Sequence, residues 1–225
     1  MLYSIFISKG ISGEGSLRVF VKLVIIALIF FNFIIISPAK AVTLDFEGLT
    51  TDSAPDFSSL PADKTNYGGF NWSNSWGLIS KDYYSGSGYD IGTTSGSYTA
   101  YNLYGDTALI NMLSGTFNFK SANLTSAFND NNKLLVEGYN NGVLKYSLSK
   151  TLTTTASQNI QFNFNNIDTL VFKPNVAEGA DTSDFFFAMD DFTYTTPTPT
   201  PEPTSMLIGF LSLGGLLGLR RKRKI

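Results

Sequence analysis

The chain contains no cysteine and no histidine. The first absence excludes a disulfide framework, a thiol nucleophile and a structural cysteine-ligated zinc site. The second excludes a Ser-His-Asp triad, a histidine-ligated metal and imidazole acid–base catalysis. Charge is also sparse: Asp, Glu, Lys and Arg make up 15% of 225 residues, against about 25% in ordinary soluble domains. No long helical periodicity interrupts the middle of the chain. Glycine, serine, threonine, asparagine and aromatic residues fill the space, including 19 Phe and 11 Tyr. That mixture suits short strands joined by turns.

The formal net charge of −2 hides an uneven distribution. Residues 42–196 hold 7 Lys against 16 Asp and Glu, a net charge of −9. The cations sit at the ends: Lys9, Arg18, Lys22 and Lys40 in front, and Arg220, Arg221, Lys222, Arg223 and Lys224 behind. An acidic middle excludes nucleic acid as a partner, because phosphate binding needs a basic face.

The front segment reads as a signal peptide. A basic region with Lys9, Arg18 and Lys22 precedes the apolar run 23–36, Pro38 breaks it, and Ala39 and Ala41 occupy the small-residue positions of a cleavage site. Cleavage is expected after Ala41, with an uncleaved signal anchor as the alternative. At the other end, alternating Thr and Pro over 196–200 predict an extended spacer. Pro201, Glu202 and Pro203 follow, then the apolar run 206–219 and the basic cluster 220–224. At about 1.5 Å per residue that run covers about 21 Å, short of a hydrocarbon core near 30 Å. Snorkelling Arg and Lys stems and local thinning would make up the difference. The basic cluster orients the tail with residues 220–225 cytoplasmic and 42–203 outside.

The order Pro-Glu-Pro, short apolar segment, terminal basic cluster resembles the PEP-CTERM sorting signal of Gram-negative, biofilm-forming bacteria. The resemblance covers residues 201–224. It implies export through the Sec machinery, a transient hold in the inner membrane, recognition by the processing enzyme exosortase, and final placement at the cell surface or in the extracellular matrix. A plain tail anchor would explain the apolar run and the cations but not the Pro-Glu-Pro. The expected organisation is therefore a signal peptide (1–41), an extracellular domain (42–196), a Thr/Pro linker (197–205), a transmembrane helix (206–219) and a basic tail (220–225).

For the middle, an all-β antiparallel sandwich is predicted. Phe117 and Phe119, and again Phe162 and Phe164, alternate with polar residues. Asn141-Gly142 between two strand-like runs is a hairpin signal. Strands are expected at 42–47, 69–73, 97–103, 115–119, 133–139, 143–150, 160–164, 169–173 and 185–194, arranged as a jelly roll. The opening Leu44-Asp45-Phe46-Glu47 and closing Ala188-Met189-Asp190-Asp191-Phe192 also resemble the ends of sandwich domains found before PEP-CTERM tails. This likeness implies kinship with galactose-binding-like and carbohydrate-binding folds.

Three kinds of chemistry are open to such a domain. Asp45, Glu47, Asp190 and Asp191, on the first and last strands, offer the hard oxygen ligands of a structural Ca²⁺. The other reading makes them solvated acids or partners of lysines. No further cofactor is expected. Tyr83, Tyr84 and Tyr89, in the loop-like stretch 81–90, offer flat faces for stacking on sugar rings, against the reading that aromatics report burial. Trp72 alternates within a strand and is expected in the core. A glycosidase needs only two carboxylates, but no acid pair stands in a recognisable setting, so no catalytic residue is assigned. The expected role is structural or polysaccharide-associated and non-enzymatic, with a dedicated carbohydrate-binding module as the alternative.

Overall fold

A computed structural model describes residues 39–49, 57–60, 65–130, 132–175 and 182–197. Most of the signal-peptide segment, and the sorting motif Pro201, Glu202 and Pro203 with the apolar run and basic cluster after it, lie outside these residues. Among the described residues no helix is long and apolar enough to cross a membrane.

The described chain is all-β, two antiparallel sheets packed face to face. The first sheet takes β1 (Val42–Leu44), β2 (Phe57–Ser59), β5 (Trp76–Ser80), β6 (Tyr98–Asn102), β8 (Phe117–Ser126), β11 (Gln158–Ile167) and β13 (Phe187–Thr195). The second takes β3 (Thr65–Tyr67), β4 (Phe70–Trp72), β7 (Ala108–Met112), β9 (Asn132–Asn140), β10 (Val143–Leu152) and β12 (Thr169–Pro174). Hydrogen-bonded order is β11-β8-β13-β6-β5-β2 in the first and β10-β9-β12-β7-β4-β3 in the second.

Alternation decides which face each strand buries. On β11, Ile160, Phe162 and Phe164 point inward while Asn159, Gln161 and Asn163 face water. Between β9 and β10, Asn141 and Gly142 both adopt positive φ (50° and 73°), the geometry of a type I′ turn. The core is largely aromatic. Trp72 and Trp76 meet edge to face at 5.5 Å, and Phe119 stacks on Phe192 at 4.7 Å. Both indoles are fully buried, and their N–H groups donate to the carbonyls of Tyr67 and Leu109. Each such ring contributes up to about 3 kcal/mol by leaving water. A disulfide-free domain relies on that term.

Two features position the functional surface. The first is β13, paired along one edge with β8. Its other edge is shared: β6 takes Ala188 and Met189, and β1 takes Phe192 to Tyr194. The second is a five-residue helix, α1 (Gly88–Gly92), lying on the outer face of the first sheet. Its N-terminus is built locally: the Ser87 hydroxyl accepts from the Tyr89 N–H at 3.2 Å, and Asp90 accepts from the Gly86 N–H at 2.9 Å. Residues 81–90, expected as an open loop, thus end in a helix pressed against the sheet.

Candidate functional site

Below α1, the outer face of the first sheet is apolar. Ile79, Tyr89, Tyr101, Leu103, Ala127 and Ala188 form a second buried cluster, separate from the sandwich core, with Phe186 against it. Tyr101 of β6 stands opposite Ala188 of β13. Its ring meets Tyr89 edge to face at 5.4 Å.

Around this floor stands a rim of open rings. Tyr83 is 47% exposed, Tyr84 46%, Phe128 40% and Tyr104 83%. Tyr84 stacks on Tyr89 at 6.1 Å and meets Phe128 edge to face at 5.6 Å. Rim and floor enclose a groove of about 230 Å³ whose lining includes Tyr84, Tyr89, Tyr101, Tyr104, Phe128 and Phe186. A second depression of about 370 Å³ adjoins it, lined by Tyr104, Gly105, Asp106, Thr107, Pro174 and Phe185. Tyr104 belongs to both. Burial holds the Tyr89 and Tyr101 phenols well above the usual tyrosine range, reinforced by neighbouring tyrosines. Both are neutral at any physiological pH.

The expected platform needs one correction. Tyr83 and Tyr84 are exposed, but Tyr89 is only 2% exposed. It cannot present a face to a ligand, because the Ser87-capped helix turns it down onto Tyr101 and Ala127. It is floor, not platform. Tyr101 and Tyr104 join the site from the end of β6 and the turn after it. Phe128 and Phe186 come from distant segments and carry no local sign of joining the site.

The four acids are brought near one another, at the seam where the partner of β13 changes from β6 to β1. There Glu47, Asp190 and Asp191 hold the loop 93–98. The Glu47 carboxylate accepts from the N–H groups of Ser97 and Tyr98 at 2.7 and 2.8 Å. Asp190, fully buried, accepts from the N–H groups of Thr94 and Ser95 at 2.8 Å each, from Asp191 N–H at 2.8 Å, and from both hydroxyls. Asp191 accepts from the Thr94 hydroxyl and the Asn123 amide. Asp45 accepts from the Glu47 N–H within its own turn. At least one oxygen of each acid is engaged by a donor of this chain, and both of those of Asp190. Among the described residues no group of three or more such side chains is placed to hold a metal ion. The geometry is that of a latch between strand ends, with Asp190 its buried member. Burial pushes the Asp190 carboxyl up to about 6, against the downward pull of the N–H groups of Ser95, Asp191 and Thr94.

No family model matches the chain. No curated protein matches it either. Among solved structures it is similar to the K1 cleaved adhesin domain of Lys-gingipain from Porphyromonas gingivalis W83, with 10% identity, a TM-score of 0.41, and coverage of 71% of this chain and 99% of that one. It is also similar to TmCBM61, solved in complex with beta-1,4-galactotriose, with 9% identity, a TM-score of 0.35, and coverage of 60% and 93%. At these values neither neighbour bears on what this chain binds.

Proposed function

We propose that the chain is an exported, non-enzymatic surface protein that associates with polysaccharide through the aromatic groove. The observation that carries this is the rim of exposed rings, Tyr84, Tyr104 and Phe128, with Tyr83 against Tyr84, set around a buried aromatic floor. Sugar rings have an apolar C–H face and a hydroxyl edge, and a half-open aromatic groove suits the first. Among the described residues neither depression is lined by two carboxylates, which supports binding over glycoside hydrolysis. We read the sandwich as a jelly roll of the galactose-binding-like kind, a reading supported by the pairing of its first and last strands, β1 and β13.

Affinity electrophoresis of the full-length protein through gels containing neutral polysaccharides tests the binding. The protein is expected to be retarded in at least one gel, with retardation falling about tenfold or more for Tyr84→Ala, the usual scale for truncating an aromatic anchor. Migration unchanged in every gel would sink the reading.

Delivery is the second part of the proposal, supported by the order of Pro201-Glu202-Pro203, the apolar run and the basic cluster. Exosortase, the Sec machinery and the inner membrane are the partners it calls for. Deleting residues 201–225 is expected to move the protein from the surface fraction to the periplasm or the medium. An unchanged distribution on cell fractionation would remove the sorting role.

A further inference from the structure

Tyr104 is an unusual residue on this surface. It is 83% exposed, yet its backbone is left-handed, with φ 58° and ψ 11°, a conformation that bulky non-glycine residues rarely adopt. Gly105 follows with φ 73°, and a Cβ there would press on the Phe185 side chain.

The turn is also pinned from below by Asn102, which is fully buried. The Asn102 amide donates to the Phe185 carbonyl at 2.8 Å and the Asp106 carbonyl at 3.2 Å, and its side-chain oxygen accepts from the Phe187 N–H at 2.9 Å. Backbone strain held in place by a buried network marks a position kept for something other than packing. What it does here is display one ring between two depressions. One is lined almost wholly by apolar side chains; the other brings Asp106 and Thr107.

We propose that Tyr104 is the central stacking residue of an elongated site that takes an internal stretch of an uncharged polysaccharide, with sugar rings seated on both sides of it. This rests on the polysaccharide reading of the groove and adds length and charge to it. Length follows from the shared residue: a ligand crossing Tyr104 touches both depressions, whereas a single ring fills one. Charge follows from the lining. Asp106 faces one depression, among the described residues neither lining includes Lys or Arg, and residues 42–196 are strongly acidic. An acidic glycan would meet repulsion without a compensating cation.

The test is calorimetric titration of the full-length protein with gluco-, galacto- and manno-oligosaccharides of one to six units, and with oligogalacturonate as the acidic counterpart. In the neutral series that binds, affinity is expected to rise at least tenfold from the disaccharide to the hexasaccharide. Tyr104→Gly is expected to abolish that rise while leaving the melting midpoint unchanged or higher, since glycine takes the left-handed backbone without strain. Affinity independent of length, a rise that survives Tyr104→Gly, or tighter binding of oligogalacturonate overturns the inference and leaves the groove a sugar site. Binding to none of the oligosaccharides, in a protein also not retarded by any polysaccharide, removes both.

Discussion

Replacing Gly88 by alanine is expected to destabilise the domain by about 3 kcal/mol or more and to abolish polysaccharide binding. Gly88 opens α1 with its Cα against the main chain of β8. A Cβ there would overlap the Ser126 carbonyl oxygen and lie within 3.0 Å of the Ala127 Cα. Neither neighbour is the yielding end of a side chain. Overpacking against movable groups typically costs about 1–3 kcal/mol, and backbone cannot swing aside. The alternative is for α1 to lift, which breaks the 2.8 Å bond from the Gly88 N–H to the Ala127 carbonyl. Lifting also withdraws Tyr89, the floor under Tyr84 and Phe128. Urea denaturation and gel retardation should therefore fail together. Wild-type stability in the alanine variant would show that the helix is not seated as described.

Removing the Asp190 carboxylate should have an effect of similar size. Asp190→Ala strips the acceptor from the N–H groups of Thr94, Ser95 and Asp191. Each orphaned part-buried donor costs about 1 kcal/mol, at the lower end of the range for buried groups, so a loss of about 3 kcal/mol is expected. The milder Asp190→Asn isolates the ionisation. The Asp190 carboxyl, near 6 in the folded protein, lies above its unfolded value near 3.8. The folded state therefore binds the proton more tightly. The contribution is fully present below about 4 and is lost as pH rises through 6. About 3 kcal/mol would disappear between pH 4 and 7. Glu137, held down by its hydrogen bond from Lys173, and Asp130, held down by the Thr154 N–H, act in the opposite sense: what they contribute grows as pH rises through the ordinary carboxylate range. No histidine titrates inside it. Denaturation midpoints of the wild type should fall relative to those of Asp190→Asn across the range from pH 4 to 7. Parallel curves would mean that Asp190 is ionised throughout.

These two positions show what could be read from the residues alone. The alternating phenylalanines of β8 and β11 and the Asn141-Gly142 turn declare strands and a hairpin, because a half-buried strand writes its two faces into every second residue. β5 left no such mark. All five residues of Trp76–Ser80 are buried, since the core covers one face and the α1 cluster covers the other. A strand buried on both sides has nothing to alternate. The acids at 45, 47, 190 and 191 were legible as a group, but their duty was not. That depends on donors from the 93–98 loop, which only the split pairing of β13 brings to them. The burial of Tyr89 is not written locally, because it is decided by a glycine contact with a strand almost forty residues away. Tyr104 has one local sign, a strand-ending Tyr-Gly ahead of Asp106, where an exposed aromatic shares a turn with a left-handed glycine.

The shared edge of β13 also gives the domain a direction. The aromatic groove adjoins Ala188, near one end of this strand, while β1 joins it at the other, with Val42 opposite Tyr194. Six residues separate those points, about 20 Å of extended chain. The described chain thus begins and ends its sheet pairing at one pole, with the aromatic groove towards the other. A tether beyond Thr195 would hold the groove outward, away from whatever surface the chain is fixed to. Tension between that tether and a bound polysaccharide would run along β13, whose hydrogen bonds to β8 on one side and to β6 and β1 on the other lie across the line of force. Those bonds would share the load in shear instead of opening one at a time.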